Sequence, residues 1–389
     1  MTRQLVRETH LGGALVIGLG SILGTGAYVS IGLSASIAGD LLIWAIIIAA
    51  LTALCNGLSS SQLAASHPVS GGTYEYGYHF LNPASGKVAG VLFIVAKSAS
   101  AATAALAVAQ YINSYLELSY WFVEFTSIVL LLVLTLTVLS GVRRTNWLNI
   151  IVVSLSLIGL VVFVGAAFSL PATTSSLPSS EIESLSLFHA AALMFVAFTG
   201  YGRIATMGEE IADPRRNIPR AVWLTLTLIS TIYILVGLAV LRVYNPSMLE
   251  PDNFNIASLV VDSSWRWIIT IGGVIAMMGV VLNLVLGVSR VVLAMGRRGD
   301  LPKTFAKLDA DNKSAPIATW VTFLIMASIA LMGEIKSAWT LSAITVLAYY
   351  GITNLAALKV TDEDRFIPRW VSVTGLLSCS GLVILAVLA

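Results

Sequence analysis

The chain has 389 residues, 57% of them hydrophobic and 11% charged, with a net charge of +2. Soluble domains carry about 25% charged residues, so this composition excludes a water-soluble enzyme or binding module. No basic tail or cluster points to a nucleic-acid partner. Two cysteines cannot frame a disulfide-stapled fold, and with four scattered histidines they show no metal-ligand spacing.

Apolar runs of about 20 residues, enough to cross a bilayer, recur along the whole chain. They predict an all-α polytopic membrane protein with one integral domain over 1–389. The opening MTRQLVRETH is a short charged lead. The run after it is far longer than the apolar core of a signal peptide and has no small-residue cleavage site, so it is read as a retained first span. Eleven spans follow, near 11–37, 41–65, 88–112, 120–140, 147–168, 187–208, 221–241, 268–295, 317–332, 338–358 and 370–389. The connections then alternate between two faces. One face holds sixteen Lys and Arg, including Arg3, Arg7, Lys87, Arg143, Arg144, Arg215, Arg216, Arg220, Arg297, Arg298 and Lys313. The other holds only Arg242, Arg266 and Lys336. This positive-inside bias predicts a cytoplasmic N-terminus and, with an odd number of spans, an extracytoplasmic C-terminus.

Span 1 reads GLGSILGTGAYVSIG over 18–32. Gly18-x-Gly20-x-x-x-Gly24 resembles a dinucleotide fingerprint, but that motif needs a strand before it and a βαβ unit around it. A membrane-length apolar run surrounds this one. Gly18, Gly20 and Gly32 fit close helix packing. Gly24-Thr25-Gly26 reads instead as a planned interruption, since each glycine costs a helix about 1 kcal/mol relative to alanine. A side chain at Gly26 would crowd the opened turn.

Span 3 places Lys97 about nine residues in, near the bilayer centre at about 1.5 Å per residue. An ammonium there is costly, so Lys97 is a candidate proton carrier or gate, with a structural charge as the plainer alternative. Span 5 offers Ser154 and Ser156 but no cation. Span 6 carries the second glycine pair, Gly200-Tyr201-Gly202, followed at once by Arg203. Arg203 does not titrate; it could bind a carboxylate, pair in a gate or brace the broken backbone. Glu209 and Glu210 could pair with Arg143, Arg144 or Arg297 to close an inner gate. Span 8 holds Asn283 and Ser289 on different faces, with Arg290 near its end and able to snorkel to the interface. No hydroxyl pair suited to sodium appears there, which favours protons or exchange; sodium symport stays open. Tyr74, Tyr76 and Tyr78 read as interfacial anchors.

The breaks in spans 1 and 6 lie five spans apart. An odd unit makes the second copy run inverted, and paired Gly-interrupted spans are the best sequence pointer to a transporter site. Half-helix N-termini offer N–H donors to an anion, and half-helix C-termini offer carbonyls to a cation. A ligand with both a carboxylate and an ammonium fits.

Five segments in order then resemble the amino acid–polyamine–organocation (APC) superfamily of permeases. They are GSILGTGAYVSIG, PVSGGTYEY (68–76), FVAFTGYGRIATMGEEIADPRRNIPRA (195–221), SRVVLAMGRRGDLPKTFAKL (289–308) and NLAALKV (354–360). The resemblance implies a bacterial amino acid permease with a five-plus-five inverted-repeat core, broken helices 1 and 6, and alternating access. The repeats would cover about 11–168 and 187–358, with an extra helix near 370–389. Thr25 and Gly26, with the backbone of Leu23 and Gly24, would hold a carboxylate. Carbonyls of Val196, Phe198 and Thr199, beside Gly200, would take an ammonium, and Tyr201 would shape the side-chain pocket. Lys97, Arg203 and Ser156 are the coupling or gate candidates; Ser154 or Ser156 stands roughly where some proton-coupled members carry a lysine, so a span 5 lysine mechanism does not carry over. Two fixed cations disfavour cationic substrates, so a neutral or acidic amino acid is expected. Protons are the expected coupling ion, the plasma membrane the expected location, and no cofactor or metal is implied. A non-transporting sensor with the same fold is the competing class.

Overall fold

The computed structural model describes residues 10–69, 71–116, 120–140, 146–172, 184–205, 211–244, 255–260, 264–309 and 315–388. Nine stretches among them are helical, apolar and long enough to cross a membrane. The first, Leu11–Ser66, is folded in two at Gly39–Leu41, where Gly39 takes a φ of 52° that side chains rarely adopt. Together with the shorter apolar helix Pro316–Ala330 this yields eleven spans among the described residues. Span 1 comprises Leu11–Ile22, a π-turn Gly26–Ser30 and Ile31–Ala38; span 2 is Leu42–Ser66. Spans 3, 4 and 5 are Pro83–Leu116, Tyr120–Leu139 and Asn146–Ser169. Span 6 is Ser184–Phe198, a 3-10 turn Thr199–Tyr201, and Gly202–Ala205. Spans 7 to 11 are Pro214–Val243, Arg266–Arg298, Pro316–Ala330, Ile335–Leu358 and Arg369–Leu388. Arg3, Arg7, Arg143, Arg144, Glu209, Glu210 and Lys313 lie outside the described residues.

The outer surface is apolar, as a lipid-facing surface must be. Exposed Trp44, Trp121, Trp265 and Trp267 sit where even-numbered spans begin, and exposed Trp147, Trp320 and Trp370 where odd-numbered spans begin. Successive spans run in opposite directions, so these form two aromatic belts, one at each interface. The face carrying Lys87, Arg215, Arg297, Arg298 and Arg369 is called the basic face below.

Packing between spans follows a rule. Span 3 packs on spans 4, 9 and 10, and span 8 packs correspondingly on spans 9, 4 and 5. Span 2 touches spans 6 and 10, and span 7 touches spans 1 and 5. Span 1 touches span 5 and span 6 touches span 10; spans 1–6, 2–7, 3–8 and 4–9 pack directly. Adding or subtracting five from every span number maps these pairings onto themselves. Span 11 stands outside the rule, against spans 2, 6 and 10. Buried polar contacts to span 2 hold it there: Ser59 to Ser372 at 2.9 Å and Asn56 to Cys379 at 3.2 Å.

Candidate functional site

Span 1 leaves the helix at Leu23, whose φ of −70° and ψ of 111° are extended. The chain coils again from Thr25 and Gly26. The first N–H groups of that new segment have no carbonyl one turn behind them. Span 6 tightens at Thr199–Tyr201. None of Gly24, Gly26, Gly200 or Gly202 has a positive φ, so their job is close approach rather than unusual backbone. A Cβ on Gly200 would strike the backbone of Ser21, with its carbonyl carbon at 2.5 Å. A Cβ on Gly26 would strike the Tyr233 hydroxyl and lie 2.9 Å from Ala197 Cβ. A Cβ on Gly24 would lie 2.5 Å from Val280. The two broken spans therefore cross backbone to backbone at their breaks. Crowding at Gly26 comes from span 7 and span 6, and not from an opened turn facing a ligand.

The carbonyls freed at the breaks are covered by side chains. The Tyr233 hydroxyl of span 7 lies 3.2 Å from both the Ile22 and the Ala197 carbonyl, one on each broken span. Tyr350 of span 10 donates to the Thr199 carbonyl at 3.3 Å. Thr199 Oγ1 donates to the Val196 carbonyl at 2.8 Å and accepts from Lys97 Nζ at 2.9 Å. Among the described residues no carboxylate is within ion-pair distance of Lys97. Thr25 Oγ1 is buried and has no hydrogen-bond partner among the described residues.

A cavity of about 310 Å³ lies at this crossing. Of the residues singled out from sequence, Thr25, Gly26, Lys97, Val196, Thr199, Gly200 and Arg203 line it. Leu23, Gly24, Phe198, Tyr201 and Ser156 are not part of its wall. Tyr201 stands behind Tyr350, ring centroids 5.4 Å apart, so the aromatic facing the space is Tyr350. Ser156 lies under Tyr28, whose hydroxyl donates to the Ser156 carbonyl at 2.7 Å. Of the rest of the wall, Phe93, Trp339, Tyr349 and Tyr350 were not singled out, and a stripe on span 8 includes Asn283 and Arg290, which were. That stripe, Val280, Asn283, Leu284, Gly287, Arg290, Val291 and Ala294, repeats at three and four residues, one face of a helix. Its signal was legible as two polar residues, Asn283 and Arg290, on one face of an otherwise apolar span. Arg290, an exposed residue near the basic end of span 8, also lines the cavity.

The stripe shows which way the cavity opens. Span 8 ends at the basic face, and its lining runs from Val280 to Ala294, about 21 Å at 1.5 Å per residue. Gly71 and Tyr74, from the connection between spans 2 and 3 on the same face, also line it. Towards the opposite face the way is filled. Tyr111 donates to the Tyr28 carbonyl at 2.8 Å, and Ile256–Val260 is a buried 3-10 turn against spans 5, 7 and 8.

At the basic mouth the tyrosines are more than interfacial anchors. Asp300 accepts from Tyr78 at 2.6 Å and from Tyr74 at 2.7 Å, with Lys87 Nζ 3.5 Å away. Arg298 stacks over the Tyr78 ring at 4.1 Å and pairs with Glu75 at 2.7 Å. Burial works against ionisation of Asp300, but the two hydroxyl donors and Lys87 outweigh it and hold the carboxyl below its ordinary value. His67 and His79 stack nearby, ring centroids 3.9 Å apart.

A broken-span crossing with a cavity in the same place as a glycine-paired sequence signature is a transporter's arrangement. The sequence profile of the amino acid permease family matches residues 12–389. The chain belongs to that family, within the APC superfamily. An uncharacterized transporter of Mycobacterium tuberculosis is 35% identical over 383 residues, covering 97% of this chain and 85% of the relative. The branched-chain amino acid permease BcaP of Bacillus subtilis is 24% identical, covering 98% and 87%. The methylthioribose transporter of Bacillus subtilis is 25% identical, covering 89% and 81%. Family membership and the transporter names of these relatives support an amino acid transporter.

Proposed function

We propose that the chain carries a neutral or acidic amino acid across the plasma membrane by alternating access, in proton-coupled symport or exchange. The observation that carries this is the cavity at the crossing of the two breaks, with an unpartnered Thr25 hydroxyl on one side and an ammonium, Lys97, on the other. In this reading the substrate carboxylate docks on Thr25 and the N–H groups from Gly24 to Gly26. Its ammonium takes the second lone pair of the Val196 and Thr199 carbonyls. Side-chain selection falls to Phe93, Trp339, Tyr350 and Asn283. Lys97 and Arg203 are the gate or coupling candidates. Ser156, buried away from the cavity, serves at most the packing of span 5 on Tyr28.

The repeats are proposed as 11–168 and 187–358, supported by the exchange of packing partners under a shift of five spans. The basic face is proposed as cytoplasmic, on charge placement, so the cavity is open inward. The names of the relatives include a branched-chain amino acid permease, which supports a neutral substrate; the cationic wall of Lys97, Arg203 and Arg290 supports an acidic one.

Purified protein in proteoliposomes, offered each of the twenty labelled amino acids with and without an imposed pH gradient, tests the proposal. Uptake or exchange of at least one is expected, stimulated by an inward proton gradient if coupling is by symport. Measurable binding with no uptake or exchange for any of them would overturn transport in favour of a sensor.

A further inference from the structure

The amine of Lys97 stands at the turn of span 6 proposed above to receive the substrate's amine. It donates to Thr199 Oγ1 at 2.9 Å, and that hydroxyl donates to the Val196 carbonyl at 2.8 Å. Val196 and Thr199 are the residues whose carbonyls would hold a substrate ammonium. Two ammonium groups around one small set of acceptors repel, and the more strongly the less water is present. The other groups covering freed carbonyls, Tyr233 and Tyr350, are neutral, fully buried aromatics braced by ring contacts to Phe198 and Tyr201. Lys97 is the mobile member. It ends a flexible four-carbon stem and opens onto the cavity. It also has no carboxylate, among the described residues, to hold it where it is.

We propose that Lys97 is a tethered stand-in for the substrate's amine. In the empty carrier it caps the Thr199 hydroxyl, which in turn covers the Val196 carbonyl at the opened turn of span 6. When an α-amino acid enters, Lys97 withdraws along the cavity and the substrate ammonium takes its acceptors. A carboxylate of the same carbon skeleton but without the amine leaves Lys97 in place. Lys97 thus sets how strongly the site distinguishes amino acids from their deaminated counterparts. This rests on the amino-acid reading of the cavity above.

The test is a pair of binding curves on the full-length protein in detergent, read by thermal shift. The probes are the amino acid that binds most tightly among the twenty and the same molecule lacking its amine, for example L-leucine and 4-methylpentanoate. In Lys97→Met the amino acid no longer displaces anything, and the deaminated acid leaves the Thr199 hydroxyl without its ammonium donor. The ratio of the two dissociation constants is expected to move at least tenfold towards the amino acid. Thr199→Val, which removes the tethering hydroxyl, should move it the same way and stands in if Lys97→Met does not fold. Lys97→Met with a ratio within twofold of the wild type overturns the proposal. So does loss of amino acid affinity with unchanged affinity for the deaminated acid, since Lys97 would then assist the amine rather than replace it. If no amino acid stabilises the wild type, the reading of the cavity itself fails, and the role of Lys97 falls with it.

Discussion

Tyr233 carries an unusual load for a single hydroxyl, because it lies between one freed carbonyl of span 1 and one of span 6. Removing a donor from a buried carbonyl costs about 1–3 kcal/mol. Tyr233→Phe is therefore expected to lower stability by about that amount, and to weaken amino acid binding because both breaks lose their common brace. A thermal-shift series with and without ligand checks it; unchanged stability would mean the second lone pairs find other donors. Gly26→Val acts at the same point from the opposite direction. Its side chain meets Tyr233 and Ala197, and overpacking of this kind costs about 1–3 kcal/mol. The expected result is a less stable protein, rather than a fully stable one that merely fails to bind. The sequence made the two glycine pairs visible but not their reason, which is the approach of two backbones at Ser21 and Gly200. It likewise pointed to Tyr201 as the pocket aromatic, when Tyr350 of span 10 stands in front of it. Rotation of a short 3-10 turn decides that, and periodicity does not encode it.

The connection between spans 2 and 3 is best understood as an element fastened to span 8. Tyr74 and Tyr78 both donate to Asp300, just past the end of that span, and Arg298 lies over both rings. Asp300 is favoured in its ionised form when folded. A carboxyl with a depressed folded value stabilises above its unfolded value, near about 3.9, and that contribution is lost as pH falls through the folded value. Asp300→Asn should therefore cost about 1–3 kcal/mol at neutral pH, and the gap between variant and wild type should close below pH of about 4. Melting curves across pH read it directly; a gap that persists in acid would assign the effect to packing. Element positions were the most legible layer of all, since each span announces itself by length and hydropathy. Contacts such as this clamp were not, because Tyr74 and Asp300 are joined only by the way spans 3 and 8 pack.

At the scale of the whole molecule, the odd separation of the two breaks is the ground for proposing units of five, and the pairing of spans under a shift of five supports that proposal. What spacing alone could not convey is which end of the cavity is open, because the polar residues in the second half of span 8, Asn283 and Arg290, do not by themselves say which neighbouring spans they face. The lining runs along the half that ends at the basic face, with Ala294 near its mouth and Val280 at its floor. If that face is cytoplasmic, accessibility must be one-sided. With Cys55 and Cys379 replaced by Ser, Ala294→Cys should react with a membrane-impermeant maleimide in inside-out vesicles. It should react poorly in intact cells. Bound substrate should slow the reaction at Val280→Cys more than at Ala294→Cys, because Val280 flanks the break of span 1. Labelling of Ala294→Cys from outside in intact cells would reverse the orientation. Equal labelling from both sides would mean that the empty protein spends comparable time open to each, so that the seal of Tyr28, Tyr111 and Ile256–Val260 yields as readily as the clamp at Asp300.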